Sequence, residues 1–104
     1  MNKSRAKRTI VDNKSFHSKK EANRYVQLRT LESVGAISLL ECQPRIPLLV
    51  NGKKIGVYVG DFRYVEHNVI VIEDVKSVAT KTPLYRLKKA ILETYTPPIL
   101  IRET

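Results

Sequence analysis

The run Val69–Lys76, VIVIEDVK, constrains the fold more than any other segment. Its first four residues are all apolar and β-branched, so a strand here carries hydrophobic side chains on both faces. A strand with one wet face would alternate; a strand without alternation needs cover on both sides and belongs in the middle of a layered sheet. The same run then sets Glu73, Asp74 and Lys76 into that dry setting. An unpaired carboxylate taken out of water is costly, so each of these residues needs a partner, a metal ion or a function.

Register decides which acids meet. His67-Asn68 reads as a two-residue turn, which pairs Glu66 with Val69, sets Asp61 opposite Asp74, and sets Val59 opposite Lys76. Directly opposed residues share a face of the sheet, as do Asp74 and Lys76, two apart on one strand. Two carboxylates and one ammonium then converge. A three-residue turn would instead place Asp61 opposite Glu73, and Glu73 otherwise reads as a salt-bridged acid on the other face.

The flanking segments supply only two helices as cover for a mixed sheet, so an apolar face or edge left for a second copy is expected. Ser18-Lys19-Lys20-Glu21 is a capping box opening a helix that runs to about Val34 and stops at Gly35. Ala22, Tyr25, Val26, Leu28 and Leu31 are its apolar members. Ile37 to Val50 reads as a strand interrupted by Pro44 and Pro47, edge-like or bulged, and Asn51-Gly52 as a hairpin turn. Ile55 to Val65 reads as one continuous strand. Thr82-Pro83 starts a second helix whose stripe is Leu84, Leu87, Lys88, Ile91, Leu92 and Tyr95; Pro97-Pro98 ends it, and Ile99–Ile101 is a short last strand. Lys88, inside the stripe, reads as snorkelling across the core edge or as lying near the site. The expected architecture is α/β, in the order αβββαβ, with a small mixed sheet flanked by helices. A chain of 104 residues makes one such domain, expected at 16–104, behind a basic flexible arm at 1–15.

Charge narrows the partner. Nineteen Lys and Arg against ten Asp and Glu leave +9, and residues 1–20 hold seven of the bases against one acid. Lys76, Lys81, Arg86, Lys88 and Lys89 form a second cluster. Such clusters point to a polyanion, with nucleic acid the commonest, and the candidate contacts are Lys3, Arg5, Lys7, Arg8, Lys14, Lys19, Lys20, Lys81 and Lys88. Neither cluster has the bulky apolar face of a membrane-surface helix, and no apolar run is long enough to span a bilayer. No apolar stretch follows the basic start, so no secretory signal is expected. Cys42 is the single cysteine and reads as an inert core thiol; His17 and His67 lack the companions of a zinc site and read as surface residues. Tyr58, Phe62 and Tyr64 read as core or interface aromatics.

Two carboxylates held together repel unless one is protonated or a divalent cation lies between them. Mg²⁺ suits hard oxygen donors and leaves positions for water and phosphate, and Lys76 can steady negative charge developing on a phosphorane. The chemistry this suggests is metal-assisted phosphodiester hydrolysis, with a structural ion-pair cluster as the other reading. The tripeptide alone carries no weight, because Asp12-Asn13-Lys14 repeats it in a polar segment with no strand around it.

Asp61 followed by Asp74-Val75-Lys76 resembles the D…(D/E)-x-K signature of the PD-(D/E)XK nuclease superfamily, and αβββαβ is that superfamily's core. S-K-x-E-A at Ser18–Ala22, D-F-x-Y at Asp61–Tyr64 and E-D-V-K at Glu73–Lys76 are similar to small phage-encoded nuclease-like proteins, over about Phe16 to Tyr95. Gly60 stands where the first motif has a proline. The resemblance implies Asp61, Asp74, Glu21 and the Val75 backbone carbonyl as metal ligands, Glu21, Asp61, Asp74 and Lys76 as catalytic residues, and Gln43 as a residue near the bound nucleic acid. It implies a Mg²⁺-dependent DNA endonuclease (Mn²⁺ substituting) with no organic cofactor. The enzyme is expected to be a homodimer selective for branched or junction DNA in phage-type recombination or processing, in a bacterial cytoplasm. Alternatives are a nicking, end-processing or restriction-type nuclease, and a catalytically silent nucleic-acid-binding module.

Overall fold

The computed structural model describes residues 8–76 and 81–104. In chain order its elements are β1 (Thr9–Val11), β2 (Lys14–Phe16), α1 (Lys19–Ser33), β3 (Ser38–Cys42), β4 (Arg45–Val50), β5 (Lys53–Val59), β6 (Phe62–Glu66), β7 (Val69–Asp74), α2 (Pro83–Glu93) and β8 (Ile101–Glu103). The main sheet has the order β3-β6-β7-β8, antiparallel except for the parallel pair β7–β8, so it is a small mixed sheet. β7, the doubly apolar run, lies inside it, but cover on both faces reaches only its second half: Val69 and Ile70, beside the turn, are 60% and 68% exposed. Phe62, Tyr64 and Val71 on one face pack with Phe16, Ala22, Tyr25 and Leu28 beneath α1. Ile72 and Ile101 on the other pack with Ile46, Leu48 and Tyr58 of β4–β5 and with Tyr85 and Leu92 of α2. Tyr58, Phe62 and Tyr64 are core residues.

The β6–β7 register is the one the two-residue turn predicts. Glu66 pairs with Val69 and Phe62 with Glu73, across His67 and Asn68 at φ 51° and 63°. The Asp61 N–H then donates to the Glu73 carbonyl at 3.1 Å, carrying the pairing one step further to bring Asp61 beside Asp74.

The strand expected from Ile55 to Val65 is not straight. It bends at Gly60-Asp61, opposite a second bend at Gln43-Pro44, where Gln43 has φ 54°. The Gln43 N–H donates to the Asp61 carbonyl (2.9 Å) and the Gly60 N–H to the Pro44 carbonyl (3.0 Å), so bonding crosses the bend unbroken. Beyond it β4 and β5 form their own two-stranded ribbon, closed by Asn51-Gly52. Val59 therefore pairs with Arg45 and not with Lys76 as the straight-strand register would require. A Cβ at Gly60 would lie 3.1 Å from Ile72 Cγ2. Gly60→Ala is expected to destabilise the protein by about 1–3 kcal/mol through overpacking of the bend, read from a urea unfolding curve. A midpoint equal to that of the wild type would show that Ile72 yields without cost.

The amino-terminal expectation needs the largest correction. Residues 8–15 are not a flexible arm: β1 and β2 pair as a hairpin around Asp12-Asn13, at φ 52° and 63°. The Asp12 carboxylate accepts a hydrogen bond from Tyr25 Oη (3.0 Å) and pairs with Arg29. Phe16 is buried against Tyr25 and Phe62, with ring centroids 5.0 and 6.5 Å away. The stray Asp12-Asn13-Lys14 motif is thus a hairpin turn. Lys3, Arg5 and Lys7 lie outside the described residues.

Both helices start as their caps predict. Ser18 Oγ accepts from the Glu21 N–H and Thr82 Oγ1 from the Tyr85 N–H, each at 3.1 Å, and Gly35 takes φ 81° just past the end of α1. The Glu21 carboxylate reaches back to the His17 N–H (3.3 Å), one residue before the usual capping-box partner. The buried line of α1 is Glu21, Ala22, Tyr25 and Leu28, with Val26 exposed. In α2 the expected stripe is rotated: Tyr85 and Leu92 are buried while Leu84 and Leu87 are 60% and 59% exposed. Polar anchors fix that rotation, since Tyr85 Oη bonds Glu103 (2.6 Å) and Lys88 Nζ bonds the Val57 carbonyl (3.0 Å), on a residue facing the N–H-less Pro47. The last strand is Ile101–Glu103, not Ile99–Ile101, because the Ile99 N–H is taken by the Leu92 carbonyl.

Candidate functional site

The bend of β5–β6, the end of β7 and the start of α1 enclose a cavity of about 740 Å³. Gln43, Gly60, Asp61, Asp74, Val75, Lys76 and Glu21 line it, together with Arg8, Ser15 and His17. Four residues separated by as many as 55 positions, Glu21, Asp61, Asp74 and Lys76, thus share one space.

Each is held by its own local structure. Asp61 sits at the bend, where Oδ2 accepts a 2.7 Å bond from the Val75 N–H and so ties β6 to the end of β7. Asp74 is the last residue of β7, 3% exposed, and its buried Oδ2 has no hydrogen-bond partner among the described residues. Its carbonyl accepts from the Thr104 N–H while the Lys76 N–H donates to the Thr104 carbonyl, so the chain terminus braces the strand beyond its ladder. Lys76 Nζ stands 3.9 Å from Asp74 Oδ2 and 4.0 Å from the centre of the Tyr85 ring. The ring offers its negative face to the ammonium. Tyr85 is itself held by Glu103, which also pairs with Lys81 (3.0 Å) and Lys89 (3.2 Å). Those contacts hold the Glu103 carboxyl down at about 2, the Tyr85 hydroxyl bond contributing most.

The acids are poised unlike surface carboxyls. Burial pushes Asp74 up to about 6 against the pull of Lys76. Burial also raises Asp61, opposed by the Val75 N–H and Lys76, and raises Glu21, where the charge of Asp61 adds to the effect. Glu73 behaves in the opposite way. It points to the α1 face, is wholly buried, and accepts bonds from Arg24 Nε (2.6 Å), Arg24 Nη2 (3.0 Å), Tyr64 Oη (2.5 Å) and Thr104 Oγ1 (3.1 Å). Burial alone would raise its carboxyl, but these donors outweigh it and hold Glu73 below the usual carboxylate range. Its role is that of a salt-bridged structural acid.

Among the described residues, no group of three or more His, Cys, Asp or Glu is arranged as a metal cluster. What the cavity offers a cation is the opposed pair Asp61 and Asp74, hard oxygens with one buried oxygen lacking a partner. Glu21 lines the same space, one oxygen taken by the His17 N–H, and Val75 lines it too. That donor set fits Mg²⁺, which takes few protein carboxylates and fills its remaining positions with water.

The basic candidates divide. Arg8 and Gln43 face the cavity; Lys20 Nζ bonds the Lys76 carbonyl (3.0 Å) at its edge. Lys14 and Lys19 are exposed. Lys81 and Lys88 turn inward to Glu103 and Val57, so much of the second basic cluster is committed within the fold. His17 is the exposed surface residue expected, and it also borders the cavity; nothing in the sequence pattern marks Tyr85 or Glu103 as supports of Lys76. Only the position of Tyr85 at the N3 turn of α2 hints at its place. Cys42 is half-buried against the α1 core, and burial pushes its thiol up. No helix among the described residues is long and apolar enough to cross a membrane.

A family model, "Protein of unknown function (DUF1064)", matches residues 1–98. The chain belongs to the DUF1064 family. No curated protein and no solved structure shows a significant match.

Proposed function

We propose that this DUF1064 chain is a divalent-metal-dependent DNA endonuclease of the PD-(D/E)XK type. One observation carries the reading: Asp61, at the bend before β6, and Asp74, at the end of β7, line one cavity with Lys76, and among the described residues a buried Asp74 oxygen there has no hydrogen-bond partner. Metal-free, such a pair is a standing cost, and a cation-binding role accounts for it. The topology agrees with the αβββαβ core when β3–β4 and β5–β6 are each counted as one bent strand following α1. Gly60, in the place of the motif's proline, uses the N–H that proline lacks to bond Pro44.

Asp61 and Asp74 would hold Mg²⁺, which when bound supplies charge neutralisation at the phosphate and a more acidic water. Lys76, kept out of bulk water by the Tyr85 ring, is placed to stabilise negative charge developing on the phosphate oxygens. Gln43 and Arg8 face the same cavity and are available to the sugar-phosphate backbone. Branched DNA as the preferred substrate and a homodimer as the active form are extensions of the family resemblance.

The test is a cleavage panel over linear duplex, single-stranded and four-way-junction DNA with Mg²⁺ or Mn²⁺. Cleavage of at least one substrate, abolished by EDTA, is the expected result. All substrates intact, with DNA still bound, would make the chain a binding module.

A further inference from the structure

We infer that the β1–β2 hairpin carries a phosphate-binding station beside the acidic floor: Arg8, Ser15 and His17 together seat a backbone phosphate next to the scissile one. The inference rests on the nuclease reading for what occupies the floor, but its chemistry is separate. The cavity that holds Asp61 and Asp74 is also lined by Arg8 before β1, Ser15 on β2 and His17 at the entry to α1. Arg8 Nη1 donates to Ser15 Oγ at 3.0 Å, and among the described residues its other N–H donors have no hydrogen-bond partner and are available to a ligand. The His17 N–H donates to the Glu21 carboxylate at 3.3 Å, which joins this side of the cavity to the acidic floor.

The hairpin is fastened where this requires. Phe16, between Ser15 and His17, is buried in the core, so the pleat turns Ser15 away from the core. Asp12 at the hairpin tip is tied to Tyr25 and Arg29 of α1. Ser15 is therefore held by the hairpin, and Arg8 is held to Ser15 by the Nη1–Oγ bond. An extended polyanion fits both halves: one phosphate above the carboxylates, where a cation must offset like charge, and its neighbour against Arg8, where none is needed. A planar guanidinium can bind phosphate bidentately, which a lysine cannot do.

The experiment uses the full chain and a short fluorescein-labelled single-stranded DNA, in EDTA so that nothing is turned over. Arg8→Gln is expected to weaken binding about tenfold, as loss of a charge-assisted bond does. It should also make the slope of log K against log salt shallower by about 0.7, one single-strand phosphate contact. Ser15→Ala, which frees the guanidinium without removing charge, is expected to weaken binding a few-fold with that slope unchanged. A neutral-backbone oligomer of the same bases should not distinguish Arg8→Gln from wild type. Affinity and slope unchanged in Arg8→Gln, with the melting temperature intact, overturn the station. Should wild type cleave DNA while Arg8→Gln binds normally, the station falls and the nuclease reading stands. Should Arg8→Gln bind poorly while wild type cleaves nothing with Mg²⁺, the station stands and the nuclease reading falls.

Discussion

Asp74→Asn is expected to abolish Mg²⁺-dependent cleavage and, in the same molecule, to make the metal-free protein more stable. The two effects have one cause. Asp74 is buried with an oxygen that has no hydrogen-bond partner among the described residues, and its carboxyl is pushed up to about 6 despite Lys76 at 3.9 Å, so near neutral pH the fold carries an ionised group it would rather protonate. The folded state takes up that proton before the unfolded chain does as pH falls. Stability is therefore gained between about pH 7 and pH 4 and lost again as pH rises through 6. A rise of about two pH units corresponds to roughly 3 kcal/mol at most. Asparagine removes the charge at nearly constant shape, so the variant should recover about 1–3 kcal/mol at pH 8 and lose that part of the pH dependence. Urea unfolding at pH 5 and pH 8 in EDTA reads both. Lys76→Ala should likewise abolish cleavage while DNA binding survives, since one cation at the floor adds little to a basic surface. An Asp74→Asn protein less stable than wild type at pH 8 would mean that the Asp74–Lys76 pair is a structural ion pair. The metal-site reading would then fail whatever the cleavage assay shows.

Much of this site can be read in the chain because strand pairing is arithmetic once a turn is fixed. His67-Asn68 sets the register of β6 on β7, and that register alone brings Asp61 beside Asp74. Caps do the same for helix starts: Ser18 and Thr82 each announce a first turn, and the structure places both helices there. What escapes is whatever depends on departures from regular geometry. The bend at Gly60-Asp61 is invisible in an alternating pattern that runs straight through it, yet it detaches Val59 from Lys76 and opens the cavity. The Asp12-Asn13 hairpin escapes because its strands are three residues long and sit among basic residues that look like a tail. Its clearest sign is the pair of Asx residues, both of which tolerate the left-handed backbone a tight hairpin turn requires. In α2, Leu84 and Leu87 carry the stronger hydrophobic signal, but Tyr85 wins the buried position because its hydroxyl finds Glu103 and its ring finds Lys76. Periodicity weighs apolar area and is blind to such polar anchors. The supports of Lys76 come from a helix and a terminal strand that no motif links to the hairpin.

Glu73, one residue from Asp74, gives the second large effect, with the opposite sign. Successive strand residues face opposite ways, so Glu73 enters the α1 layer while Asp74 enters the cavity. There Arg24 grips it with two nitrogens, Tyr64 and Thr104 complete its shell, and Arg102 Nη1 donates to Tyr64 Oη at 3.1 Å. Arg24→Ala would leave a carboxylate at 0% exposure with only neutral donors. Loss of one partner of a fully buried pair costs about 3–5 kcal/mol; since Arg24 is itself 24% exposed, about 2–4 is expected here. Arg24→Met combined with Glu73→Gln should recover part of that loss, because removing both charges leaves neither stranded. The Glu73 contribution is present above the ordinary glutamate range and is lost as pH falls through its depressed value, the reverse of Asp74. Denaturation midpoints of Arg24→Ala, the double variant and Asp74→Asn at one pH would place the first well below wild type, the second between, and the third above. If Arg24→Ala matched wild type, the Arg24 pairing would contribute nothing and Glu73 would have to be reconsidered as a site residue. If the order holds, the two acids of the E-D-V-K run are separated by function as well as by face: one fixes the helix layer to the sheet, and the other, with only Lys76 at 3.9 Å, is left short of hydrogen bonds for a ligand.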